Sequence, residues 1–161
     1  MSKQHLVAVI GAGPAGIYGT RKLTEAGHRV LLINRDIKPG GLAEYGIFLD
    51  KEKMKTGLRK QFHRILADPK VSYLGHVTVG EGKSLTLKDL QEIGFSAIVV
   101  SAGAQNTKKL DLPNEEFTGV YHTKNVVYHY NKLPPFSQRH FELSSRIAII
   151  NMGNVMVDIT N

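Results

Sequence analysis

Short apolar runs alternate along this chain with stretches that repeat an apolar residue every three or four positions. LVAVI (6–10) is continuously apolar, the pattern of a strand buried on both faces. GAGPAG follows at once, and AGIYGTRKLTEAG then reads as a helix stopped by Gly27. HRVLLIN (28–34) predicts a second buried strand. Strand, glycine turn, helix and strand in this order imply a parallel sheet covered by helices, an α/β fold. DIKPGGLAEYGIFLD is a glycine-rich loop without strong periodicity. KEKMKTGLRKQFHRILA (51–67) sets Met54, Leu58, Phe62, Ile65 and Leu66 at helical spacing. VSYLG and HVTVG are short strand candidates, and TLKDLQEIG reads as a short helix ending at Gly94. FSAIVVSAGA (95–104) predicts another buried strand that closes on small residues. Residues 105–144 read mostly as loop, with one apolar patch in NVVYHYN, before RIAII predicts a new strand. VAVIGAG near the start is weakly echoed by IAIINMG near the end.

The chemistry sits in the first turn. GAGPAG matches G-x-G-x-x-G through Gly11, Gly13 and Gly16, with the strand before it and the helix after it that the motif requires. The first glycine permits a tight turn, the second lets a pyrophosphate approach the backbone, and the third lets helix and strand pack closely. The phosphates then meet free N–H groups at the helix start. The fingerprint expects an acidic residue at the end of the second strand to hold a ribose. Asn34 stands there, with Arg35 and Asp36 after it. An Arg at that point accommodates a 2′-phosphate, so NADP at the first fingerprint remains open.

Composition narrows the field. Apolar residues make up 42% of the 161, which suits a globular protein. Cysteine is absent, which removes disulfides, thiol redox catalysis and cysteine-held iron–sulfur clusters from this chain. No run approaches the ~20 apolar residues of a membrane span, and MSKQHLVAVIGAG enters a strand without a signal-peptide pattern, so a cytoplasmic protein is expected. The net charge of +7 admits an anionic partner but does not name it. No nucleic-acid recognition motif accompanies it. His122 and His129 lie seven apart without further ligands in view, so no metal site is expected. No side-chain acid, base or nucleophile is legible as catalytic. Residues 51–67 carry Lys51, Lys53, Lys55, Arg59, Lys60 and Arg64, which read first as a solvated helix face.

GAGPAG, IKPGGLAEYGI, SAGAQ, LDLPNEEFTGVY and NMGNVMVD, in that order, resemble the two-dinucleotide-binding-domain flavoproteins. These are the adrenodoxin-type ferredoxin–NADP reductases and the glutamate synthase small subunits. The likeness covers nearly the whole chain. It implies a Rossmann-like FAD-binding domain whose first part is residues 1–104, followed by a connector and the start of an NAD(P)H-binding domain over 105–161. In such enzymes hydride passes from NADPH or NADH to FAD, and electrons pass on to a carrier such as an acidic ferredoxin, docked on a basic surface. A second chain or a C-terminal region would complete the fold. The resemblance sets Gly11, Gly13, Pro14, Ala15 and Gly16 on the FAD pyrophosphate and Asn34 and Arg35 on the adenosine ribose. It sets Gly41, Leu42, Tyr45 and Gly46 along the flavin, and passes Ala102, Gly103 and Ala104 close to the cofactor. Gly153, Asn154 and Val155 would begin the NAD(P)H phosphate site. Four positions depart from the family pattern: Asn34 replaces the usual acidic residue, Asn151 the first glycine of the second fingerprint, Met156 its third small residue, and Lys51 the histidine of the mitochondrial-type reductases. A non-catalytic nucleotide-binding module is the alternative from another class.

Overall fold

The computed structural model describes residues 3–150 and 153–160. The chain divides into two compact units, one of residues 1–44 and 53–104, the other of 45–52 and 105–161.

The first unit is built on four parallel strands: β1 (Leu6–Ile10), β2 (Arg29–Ile33), β3 (Val71–Leu74) and β4 (Ala97–Val100). Their order is β3-β2-β1-β4, and Val9 pairs with Leu32 on one side and Val99 on the other. Alternate residues of the strands feed two cores. Val7, Val9, Val30 and Leu32 pack with Ile17, Phe62 and Ile65 of the helices α1 (Pro14–Glu25) and α3 (Glu52–Leu66). Ala8 and Ile33 pack on the opposite face with Leu90 of α4 (Leu87–Ile93). Helices on both faces of a parallel sheet make this a doubly wound, Rossmann-like fold.

Local chemistry sets the helix limits. Pro14 opens α1 with a φ suited to a first helical residue. Gly27, at φ +92°, closes it: its N–H reaches Thr24 O at 3.0 Å and the His28 N–H reaches Leu23 O at 3.0 Å. Thr86 caps α4 in a reciprocal box, accepting from Asp89 N at 3.1 Å while Asp89 accepts from Thr86 N at 2.8 Å. The Thr86 hydroxyl also donates to Asp89 Oδ2 at 2.7 Å, and this bond, with the one from Thr86 N, holds the Asp89 carboxyl below its ordinary pKa.

Several expectations change. The FSAIVVSAGA strand is not buried on both faces: Val99 is 39% and Val100 67% exposed, because β4 is an end strand beyond the reach of α1 and α3. HVTVG forms only a bridge between Val79 and Leu85. Met54 lies at helical spacing but is exposed. RIAII is not part of a strand among the described residues, and Ile147 and Ile150 are exposed. The glycine-rich loop contains a short helix, α2 (Leu42–Tyr45), and a 3₁₀ turn at Leu49–Lys51.

The second unit has less regular structure. The NVVYHYN patch is the core of a helix, α5 (Thr123–Tyr130), which buries Val126 and Val127. It packs against a 3₁₀ turn at Phe136–Gln138 and against α6 (Asn154–Thr160).

Candidate nucleotide-binding site

The glycine turn lies at the C-terminal end of β1, between β2 and β4, where the strand order reverses. That is the place where open α/β sheets bind ligands. Each glycine has a different reason to be there. Gly11 has φ +104°, and a Cβ on it would lie 2.4 Å from Ser101 O. A Cβ on Gly16 would lie 1.8 Å from Gly11 O, so α1 rests directly on the turn. Gly13 has an ordinary φ of −77°, and a Cβ there would meet nothing within 4 Å. Gly13 also caps α1, and no side chain bonds to that cap. Nor is any residue of the first turn acidic, so the free N–H groups keep their positive field.

Two further segments close on this turn. Ser101, just past β4, donates its N–H to Ile10 O at 2.8 Å. Its hydroxyl lies 3.0 Å from Ile10 O and 2.9 Å from Gly11 O. The second segment is the loop after β2. Gly40 donates to Ala12 O at 2.7 Å, and a Cβ on Gly41 would lie 2.9 Å from Gly13 Cα. The structure thus brings Gly11, Gly13, Pro14, Gly16, Gly41 and Ala102 together. Ala15, Leu42, Gly103 and Ala104 are exposed. Tyr45 and Gly46 belong to the second unit, and Tyr45 is buried there. Ser101 and Gly40 were not singled out by the motif. The only signal for Ser101 is a small residue between the β4 run and the following glycine.

Asn34 is held on both atoms of its amide. It is 6% exposed. Its Oδ1 accepts from Ala12 N at 3.3 Å. Its Nδ2 donates to Asp36 O at 2.9 Å, Lys38 O at 3.1 Å and the Tyr73 hydroxyl at 3.2 Å. The amide therefore ties the fingerprint to the loop after β2. Burial pushes the Tyr73 hydroxyl pKa up, and its bond from Asn34 opposes that rise. Arg35 is about half-exposed, and its Nε donates to Asp36 at 3.2 Å.

Glu44 anchors the far end of that loop. It is buried, and its carboxylate takes both Arg59 Nε at 2.7 Å and Arg59 Nη2 at 2.8 Å, with Lys38 at 4.0 Å. The Arg59 hydrogen bond holds the carboxyl below its ordinary 4.5. A depressed carboxylate contributes stability that is present above the unfolded value and lost as pH falls through the folded one. Thermal midpoints should therefore fall as pH drops below 4.5, and Glu44→Gln should flatten that slope. Parallel slopes in the two proteins would mean that the pair is not formed.

In the second unit, Gly153 and Asn154 are exposed at the start of α6 and Val155 is 38% exposed. Asn151 of the second fingerprint lies outside the described residues. Among the described residues no group of three or more His, Cys, Asp or Glu is placed to hold a metal, and no helix is long and apolar enough to cross a membrane.

Residues 5–158 match the family model described as pyridine nucleotide-disulphide oxidoreductase. The chain is 33% identical over 157 residues to the mitochondrial NADPH:adrenodoxin oxidoreductase of Arabidopsis thaliana, covering 95% of this chain and 32% of that one. It is 32% identical to the NADPH-ferredoxin reductase FprA of Mycobacterium leprae, covering 97% of this chain and 35% of the relative. The solved Mycobacterium tuberculosis FprA in complex with NADPH matches with a TM-score of 0.78 and 28% identity, over 84% of this chain and 31% of that one. The chain thus spans about a third of the length of these relatives. With a doubly wound sheet, a glycine turn at its switch point and these matches, the chain belongs to the pyridine nucleotide-disulphide oxidoreductase family, alongside the adrenodoxin and FprA-type reductases.

Proposed function

We propose that this chain supplies the FAD-binding portion, and the opening of the NAD(P)H-binding portion, of an oxidoreductase that passes electrons between NAD(P)H and a ferredoxin-type carrier. Residues 1–104 are assigned to the first role and 105–161 to the second, with Gly153, Asn154 and Val155 opening the NAD(P)H phosphate site. The names of the relatives support NADPH as the nicotinamide and a ferredoxin or adrenodoxin as the carrier.

Gly13 carries the reading. Its backbone does not need glycine, and among the described residues a Cβ there would meet nothing within 4 Å. A pyrophosphate drawn against the N–H groups of α1 does need that space. When bound, FAD supplies hydride and single-electron chemistry that no side chain here offers. Gly13, Pro14 and Ala15 present the helix start, Gly11 and Gly16 hold the turn against β4 and α1, and Gly41 crosses Gly13. Asn34 fixes the loop that frames the ribose. Arg35 is the one feature favouring NADP at this turn, but Asp36 beside it would repel a 2′-phosphate. Lys53, Lys60 and Arg64 stay exposed on α3 and fit the approach of an acidic carrier, whereas Lys55 and Arg59 are turned inward or paired. A cytoplasmic setting is part of this reading.

The test is Gly13→Ala. It should lower stability by no more than about 1 kcal/mol, the usual cost of Ala at an N-cap, and weaken FAD binding, followed by flavin fluorescence, at least about tenfold, the loss of one charge-assisted contact. Equal FAD affinity in the two proteins, or no FAD binding by the unaltered chain, would overturn the proposal.

A further inference from the structure

Residues 45–52 leave the first unit's sequence and join the second unit, far from it along the chain. Three links hold them there. The Asn131 carboxamide donates to Tyr45 O and Ile47 O, each at 3.0 Å, and to Val127 O at 3.1 Å. Phe48 packs edge-on against Tyr130, with ring centroids 6.1 Å apart. Both of these links go to α5 or its C-terminal cap. The third goes to α6: Lys51 Nζ lies 2.5 Å from Asp158 Oδ1.

That third link reaches a helix that α5 also packs against and none of whose described residues is buried. Asp158 is nonetheless well enclosed, with its side chain 15% exposed, and the Lys51 side chain is 38% exposed. The bond to Asp158 raises the Lys51 pKa, with Asp50 adding to the effect, so the ammonium stays charged through the neutral range. The mean contribution of such pairs is small. It counts here because it ties residues 45–52 to α6 across 107 positions of sequence.

We propose that residues 45–52 form a strap, fastened to α5 by Asn131 and Phe48, whose Lys51–Asp158 ion pair sets the position of α6 and of Gly153 at its start. Lys51 is a positioning residue: it acts on Gly153 through Asp158. The value of this to nicotinamide binding rests on the reading of Gly153–Val155 given above. The strap itself does not.

The experiment is an NMR comparison of the 161-residue chain and its variants, with the 13Cα shifts of residues 154–160 reporting helical population. Lys51→Met should lower the folded-to-frayed ratio of α6 about threefold, the scale of a partly exposed ion pair, and leave the α1 and α3 shifts in place. Lys51→Arg should keep the helix. Lys51→Asp combined with Asp158→Lys should restore what either change alone removes. Unaltered α6 shifts in Lys51→Met, or no recovery in the exchanged pair, would overturn the strap. NADP⁺ added to the unaltered chain separates the two ideas. Movement of the Gly153–Val155 resonances supports the nucleotide reading. Silence there, with α6 still lost in Lys51→Met, overturns that reading and leaves the strap standing.

Discussion

Gly16→Ala should lower the stability of the first unit by about 3 kcal/mol, the upper end of the usual cost of overpacking. For a chain of this size that is a fall of roughly 6–12 °C in thermal midpoint. The added carbon would sit 1.8 Å from Gly11 O and 2.6 Å from Ser101 Oγ. The first of these is backbone, so no rotamer change relieves the clash. Alanine is accepted at the third position of some dinucleotide folds, where helix and strand lie further apart. Here α1 would have to lift off the turn, and the Ser101 bonds would lengthen with it. Gly19→Ala is the internal control, because it sits in the same helix and a Cβ there meets nothing within 4 Å. It should stabilise by up to about 1 kcal/mol through helix propensity. Urea unfolding of the two variants decides. Equal stability of Gly16→Ala and the unaltered chain would mean that α1 is not held at the spacing described.

Asn34→Asp should be equally costly at neutral pH, by about 3 kcal/mol, although it changes one atom and installs the acid that the fingerprint normally carries. The new oxygen would face Asp36 O and Lys38 O, which now accept from the amide at 2.9 and 3.1 Å. Two carbonyls repel a carboxylate, and little water reaches a residue 6% exposed. The new carboxyl should therefore hold its proton more tightly when folded than unfolded. The folded state then binds more protons, so the variant's deficit shrinks as pH falls toward the ordinary carboxylate range near ~4. Unfolding curves at neutral and acid pH read this directly. A deficit that is absent at neutral pH would show that the amide does not face those carbonyls, and would return Asn34 to candidacy for the ribose.

How far the sequence revealed this depended on the range of each interaction. The β1 run, the glycine turn and the helix stops at Gly27 and Gly94 act within a few residues, and all are legible. β4 reads as buried because four apolar residues in a row fit a central strand. Its exposure depends on what lies beyond it, which a local pattern does not encode. Asn34 was legible as a fingerprint position, but its role depends on the backbone at residues 36 and 38 and on Tyr73, nearly forty positions away. α5 reads from the sequence only as an apolar patch in a loop-rich stretch, because eight residues give barely two turns of periodicity and the two adjacent valines fit strand or helix alike. The assignment of residues 45–52 to the second unit left no mark that composition or spacing could show.

Ser101 has a consequence for the order in which this protein becomes competent. The turn that begins at Gly11 is finished by an oxygen and a hydroxyl contributed ninety residues later. During synthesis the first strand, helix and second strand emerge early, yet the glycine turn lacks its Ser101 contacts until β4 has been made and has docked beside β1. Nucleotide capture at this turn, as proposed above, would then follow closure of the sheet and not the formation of its first crossover. The same contact runs in reverse. A ligand that grips only the finished turn draws β4 into place by mass action, so the exposed outer strand should be least prone to detach when the cradle is filled.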